Sequence, residues 1–191
     1  GDWSSDVCSS DLPPSRVSHA ISHDISLAVY DMDVVQSYAA HAAGMGKVVN
    51  LHAKVETGMG RLGIVADEAL SFLNFISREK YLNLEGVFTH FACADEPNRD
   101  VTGVQLDRFN AILEKLVKQA APRPLVHTAN SAGVINFPQA HFDLVRAGIA
   151  LYGHPPSSET PLPSGIAPAI SWKTRLISIK NLPPGHGVSY G

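Results

Sequence analysis

Cysteine is scarce in this chain of 191 residues: Cys8 and Cys93 are the only two. That is too few for a disulfide framework, and a cytosolic setting is the simplest reading. Aromatic residues make up 7% and charged residues 17%, against 45% hydrophobic. The balance excludes a disordered chain and leaves enough apolar material for one domain with a real core. Positive charge is not in excess. The formal net charge of -3 argues against a nucleic-acid partner. No apolar run reaches the length of a membrane span. The chain opens on Gly1 rather than Met, and residues 1–12 have neither a basic nor an apolar region, so they are not a secretory signal. This head resembles translated sequencing-adapter read-through and is set aside from fold reasoning. The chain is expected to be a fragment cut at both ends.

What is present is an alternation of strand and helix patterns. Ile25–Tyr30, Val48–Ala53, Leu84–Phe91, Leu125–Ala129 and Leu144–Tyr152 read as strands. Between them, Asp33–Ala43 reads as an Ala-rich helix closed by Gly44. Asp67–Arg78 reads as a second helix, with Ala69, Leu70, Leu73 and Ile76 on its inner face. A third runs from about Val101 to Gln119, broken by Ala121-Pro122-Arg123-Pro124. Asn130 to Gly133 opens a brief helical piece that Pro138 closes. This βα spacing without hairpin signals predicts a parallel sheet with helical crossovers, either an open doubly wound sheet or a TIM-type barrel. His154–Pro168 reads as a Pro/Ser linker. Ala169–Ile179 then alternates apolar with polar, as a half-exposed strand of a different kind would.

Unusual polar residues collect where the predicted strands end. Lys54 ends one strand, His90 the next, and His127 lies in the third with Asn130 and Ser131 beyond it. Arg146, Gly148 and Ile149 sit in the last. In parallel α/β folds that edge is where sites are built. A phosphate would suit Ser131 at a helix start with the backbone of Gly148 and Ile149. A flat heteroaromatic ring would suit His90 as a stacking partner and Arg146 as donor to a ring nitrogen, with His127 orienting Arg146. Because a guanidinium stays protonated, Arg146 would not hand that nitrogen a proton. The glycines at 58, 60 and 63 fit the G-x-G-x-x-G dinucleotide pattern. The helix, however, starts only near Asp67, and the next strand ends in His90 rather than an acid, so a nucleotide site is not expected. Each of these residues alone has a bland reading: a surface charge, a turn glycine, a helix cap. Their joint occurrence is what points to a site. His19, His23, His41, His52, His141, His154 and His186 have no partner at metal-ligand spacing, and no metal site is expected.

The stretch Lys54-Val55-Glu56-Thr57-Gly58-Met59-Gly60-Arg61-Leu62-Gly63 resembles the K-x-D/E-T-G-M-G-R-L-G signature of bacterial alanine racemases. Thr89 to Ala92 resembles that family's T-H-F-A, His127 to Ser131 its H-x-A-N-S, and Arg146 to Gly153 its R-x-G-I-x-x-Y-G. The resemblance implies an incomplete parallel (β/α)8 TIM-type barrel followed by the beginning of a β domain. It implies pyridoxal 5'-phosphate as cofactor, held by His90, His127, Asn130, Ser131, Arg146, Gly148 and Ile149. Arg61 would help hold the substrate carboxylate, and Lys54 would match a lysine that is often carbamylated. A carbamate beside a guanidinium makes charge-assisted hydrogen bonds, whereas two bare cations repel.

The activity implied is interconversion of L- and D-alanine through a pyridoxal-phosphate aldimine, supplying D-alanine for cell-wall peptidoglycan in a cytoplasmic homodimer. Alternatives are a racemase of another amino acid such as serine, a non-catalytic pyridoxal-phosphate barrel protein, or a generic sugar-phosphate enzyme. The family's cofactor-linking lysine motif and its catalytic-tyrosine motif do not occur here, and Tyr190 sits in a different motif. The chain itself is therefore expected to be inactive. The expected divisions are an adapter-like head (1–12), a partial barrel (13–153), a linker (154–168) and the start of a C-terminal β domain (169–191).

Overall fold

The computed structural model describes residues 12–117 and 123–188. All but Leu12 of the expected head lies outside the described residues, as do the predicted helix end at Gln119, the break at Ala121-Pro122 and Tyr190. After a short helix α1 (Val17–Ser22), the chain alternates β1 (Leu27–Val29), α2 (Met32–Met45), β2 (Val49–Glu56), β3 (Ile64–Val65), α3 (Ala66–Arg78), β4 (Leu82–Phe88), α4 (Asp100–Val117), β5 (Leu125–His127) and α5 (Ser131–Asn136).

The strands form one parallel sheet in the order β1-β2-β4-β5, with β3 paired to the end of β2. This order answers a question the periodicity left open. A doubly wound sheet reverses direction partway; here each crossover steps to the next neighbour on the same side, as in a barrel wall. Leu144 continues the progression by a single parallel bridge to His127.

The crossovers pack through apolar stripes. On α3, Ala69, Phe72, Leu73 and Ile76 are buried, at the i, i+3, i+4, i+7 spacing of one helix face. Phe72 is fully buried where Leu70 was expected, and Leu70 is only half-buried. Phe109, Ile112 and Leu116 of α4 and Val35, Tyr38 and Ala42 of α2 complete the core against Leu51, Ala53, Val55 and Val87 of the sheet. Asp31 caps α2, its carboxylate accepting from Val34 N at 3.0 Å.

Several expectations are corrected. Helix α2 runs through Gly44 and ends at Gly46, which takes the left-handed conformation at φ 63°. Gly44 sits in the last turn with open space around it, so nothing there forces a stop. Ile64 and Val65, just ahead of the predicted helix, form a short strand, because they pair with Val55 and Glu56. Residues 144–152 are not a strand. After the bridge at Leu144 the chain turns into a 3-10 helix, Ile149–Tyr152. Ala169–Ile179 forms no strand among the described residues, and Trp172 and Ile177 are 94% and 99% exposed. A strand requires a ladder of hydrogen bonds; Ala169 N donates to Tyr152 O at 3.0 Å, and among the described residues no further backbone bond follows along the segment. The 154–168 segment is tied to the loop between β4 and α4: Ser157 Oγ and Thr160 Oγ1 both donate to Asp95 O, at 2.9 and 3.0 Å.

Candidate functional site

Parallel register places Lys54 beside Phe88 and Phe88 beside His127. Those residues lie at the C-terminal ends of three neighbouring strands, and Arg146 follows the bridge at Leu144. Phe88 is their common floor. The His127 ring stacks on it at 4.8 Å with 8° between planes, the Arg146 guanidinium lies 5.0 Å from its centroid and Lys54 Nζ 5.7 Å.

Lys54 is 3% exposed, and the ion pairs among the described residues, His52–Glu85 and Arg123–Asp143, do not include it. Burial, then the positive charges of Arg61 and Arg146, pull its ammonium below the ordinary lysine range, and Glu56 offsets this only in part. The nearby acid is engaged elsewhere. Glu56 turns its carboxylate into the glycine turn and accepts from Gly58 N and, at 2.9 Å, from Gly60 N. These amides are the ones a phosphate would need, so the glycine pattern here is a turn wrapped around its own carboxylate, not a nucleotide loop. Arg61 stands exposed on that turn.

Arg146 is held on one side by acceptors. Nη1 donates to His127 Nδ1 at 2.6 Å, and Nη2 donates to Thr89 O at 2.8 Å and Thr128 O at 3.3 Å. Burial lowers its pKa to about 10, so the guanidinium is still charged at neutral pH. His127 is fully buried, and burial with the charge of Arg146 pushes its pKa down to about 2. His90 follows Thr89 immediately. Burial, then Arg146, Arg61 and Lys54, push its pKa down to about 4, which leaves the imidazole neutral. Gln105 of α4 braces this loop, donating to His90 O at 3.1 Å and accepting from Ala92 N at 2.9 Å.

Asn130, Ser131, Gly148 and Ile149 form a second corner of the site. Asn130 caps α5, accepting from Gly133 N at 2.9 Å, and its amide donates to Phe91 O at 3.4 Å. Both ends of that side chain hold backbone, so Asn130 fixes the turn on which Ser131 sits. Ser131 Oγ accepts from Gly148 N at 2.9 Å and from Ala150 N at 3.2 Å. With both lone pairs occupied, its proton is left to donate to an anion.

The predicted residues are thus gathered at one end of the sheet. Sequence reading missed the layer beneath them. His52, two residues before Lys54 and so on the same strand face, lies beneath it, with Nδ1 2.8 Å from His127 Nε2 and Nε2 3.0 Å from Glu85 Oε2. The period-two spacing from Lys54 was the available signal. Phe88, Glu85 and Gln105 gave none, since their roles depend on cross-strand register and helix placement.

Comparison with known proteins gives concordant results. The family described as "Alanine racemase, N-terminal domain" matches residues 5–156. The alanine racemase of Symbiobacterium thermophilum is 38% identical over 180 residues, covering 94% of this chain and 48% of the relative. That of Halalkalibacterium halodurans is 41% identical over 179 residues, covering 92% and 46%. Among solved structures, alanine racemase from Clostridium difficile 630 in complex with cycloserine superposes with a TM-score of 0.77 at 31% identity, over 80% of this chain and 42% of that one. The alanine racemase of Bacillus anthracis with bound L-Ala-P gives a TM-score of 0.74 at 34% identity, over 84% and 42%. The chain spans about half the length of the curated relatives it matches.

Proposed function

The chain belongs to the alanine racemase family, and from that premise we propose that its parent enzyme interconverts L- and D-alanine with pyridoxal 5'-phosphate, supplying D-alanine for peptidoglycan. The observation that carries this reading is Arg146: a charged guanidinium fastened to three acceptors on one side, beside a neutral His90 and above Phe88. A planar ring with a basic nitrogen and a phosphate tail fits that arrangement. Bound there, the cofactor would supply an electron sink for charge developing on the substrate Cα.

The chain's own residues have separable tasks. Arg146 donates to the ring nitrogen without protonating it, because its pKa of about 10 keeps the proton on the guanidinium. His127 holds Arg146 in place, and His90 lies against the ring as an uncharged partner. Ser131 donates its hydroxyl proton to the phosphate, with the backbone of Gly148 and Ile149 alongside. Asn130 keeps that corner in shape. Arg61, exposed on the turn, takes the substrate carboxylate. Lys54, buried among cations with no acid of its own, is suited to carbamylation, which replaces a third positive charge by a negative one that steadies Arg61.

We assign residues 13–153 to a partial cofactor-binding barrel, 154–168 to a connection and 169–191 to the beginning of a β domain. The one-way strand order supports the first assignment, and the alternation of apolar with polar residues in 169–179 supports the last. The parent is proposed to be a cytoplasmic homodimer. The 191-residue chain, whose sequence lacks the family's lysine and tyrosine motifs, is proposed not to racemise.

The test is exchange of the alanine α-proton for solvent deuterium by the parent enzyme with saturating pyridoxal phosphate, with serine as comparison. Rapid exchange with inversion for alanine is expected, and none for the 191-residue chain. A parent that leaves alanine untouched but exchanges serine would move the assignment to another racemase. Absence of exchange with both would sink it.

A further inference from the structure

Beneath the site, five polar side chains join end to end through the sheet. Arg146 Nη1 meets His127 Nδ1 at 2.6 Å, His127 Nε2 meets His52 Nδ1 at 2.8 Å, and His52 Nε2 meets Glu85 Oε2 at 3.0 Å. Ser26 Oγ closes the series by donating to the same Glu85 oxygen. The two termini differ in kind. A guanidinium can only donate, and a carboxylate can only accept. Each histidine between them has one partner on each ring nitrogen.

These constraints fix every proton. His127 must accept at Nδ1 from Arg146, so its own proton is on Nε2 and is given to His52 Nδ1. His52 therefore also carries its proton on Nε2 and gives it to Glu85. The donors from Arg146 through His52 all point toward Glu85, and Ser26 donates to the same carboxylate from its other side. Any other arrangement sets two donors or two acceptors face to face in a buried site, His52 being 5% and His127 0% exposed. The geometry was made room for: Gly86 lies opposite His52, and a Cβ there would stand 2.2 Å from His52 Nδ1.

We propose that Glu85, with Ser26, is a positioning residue that takes the last proton of this series and so anchors His52 and His127 behind Arg146. The carboxylate, 30% exposed at the far end of the series, thereby locks the guanidinium that the functional reading places against the cofactor ring. That purpose rests on the proposed function, but the proton arrangement does not.

The experiment uses the 191-residue chain without cofactor, labelled with 15N. Two-bond proton–nitrogen correlations read the tautomer of each imidazole, and the Arg146 Nη resonances read whether its guanidinium rotates. In the wild type, His52 and His127 should each show a single Nε2–H pattern, and Arg146 should show separate, locked Nη signals. The double variant Ser26→Ala/Glu85→Leu removes both oxygens at the far end. It should leave His52 Nε2–H without an acceptor, bring a second pattern to His52 and average the Arg146 signals, while His127 keeps the Nε2–H form that any contact with Arg146 requires. Glu85→Gln, which keeps an acceptor, should retain the wild-type pattern. An Nδ1–H ring in the wild type would overturn the proposal. So would unchanged tautomers and locked Arg146 signals in a double variant whose circular dichroism shows it folded. Should the double variant unfold, loss of the single Nε2–H pattern in Glu85→Gln overturns it in the same way. Pyridoxal-phosphate titration of Arg146→Leu tests the functional reading separately. Unchanged affinity and spectrum there would sink the cofactor role and leave the proton series standing.

Discussion

Acid should loosen this fold before Glu56 and Asp143 are protonated, and His127 is the reason. Its ordinary pKa of 6.5 drops to about 2 in the folded chain, chiefly through burial and then the charge of Arg146. Between these values the unfolded chain binds a proton that the native chain does not. Stability therefore rises with pH across that window and falls as pH drops below 6.5. One unit of pH in this interval is worth about 1.4 kcal/mol per such group. Going from pH 7.5 to 5.0 should thus remove about 2 kcal/mol through His127 alone. His52 and His90 act in the same direction, since burial lowers both. Glu56 and Asp143 act in the opposite sense to a destabilised acid. Their carboxylates are held below the ordinary values of 4.5 and 3.8, so their stabilisation is lost only as pH falls beneath those values. The interval from 7.5 to 5.0 consequently isolates the histidines. Urea unfolding of the wild type and His127→Gln at both pH values is the assay. The variant should be less stable at pH 7.5 but should lose about 2 kcal/mol less on acidification. Equal losses in the two proteins would refute the burial argument for His127.

Gly63 takes φ 141°, and a Cβ there would come within 2.6 Å of Glu56 N, so Gly63→Ala should cost about 2 kcal/mol or more by urea unfolding. Ser131→Ala should weaken pyridoxal-phosphate binding about tenfold by fluorescence titration and leave binding of phosphate-free pyridoxal unchanged. Lys54→Met should abolish a protein-bound carbamate signal that the wild type shows by carbon NMR in labelled bicarbonate. Leu73→Ala, at a fully buried position, should lower stability by about 3 kcal/mol in the same unfolding assay.

The alternation of strands and helices was legible because it depends on local periodicity, and so was the gathering of Lys54, His90, His127 and Arg146 at strand ends. What depends on pairing was not. Ile64 and Val65 are too short a run to announce a strand, and only pairing with Val55 and Glu56 makes them one. Residues 144–152 have strand composition but make a single bridge before the chain turns away. Gly44 and Gly46 are equivalent as local stop signals, and only the left-handed conformation of Gly46 decides between them. The cap that Asn130 makes to Gly133 N is foreseeable from its place before a helical piece, whereas its bond to Phe91 O depends on a loop distant in sequence. His52 was dismissed for lacking a metal partner, a test that ignores hydrogen-bonded neighbours on adjoining strands.

The absence of a side chain at Gly86 couples two positions far apart in the chain. Space left empty on one strand is filled by an imidazole from its neighbour. Neither position can drift alone: a larger residue at 86 evicts the ring, while a smaller one at 52 leaves a void. Across relatives the two should be inherited as a pair or exchanged as a pair. A lineage that has abandoned the histidine should be the one where glycine is free to become something else.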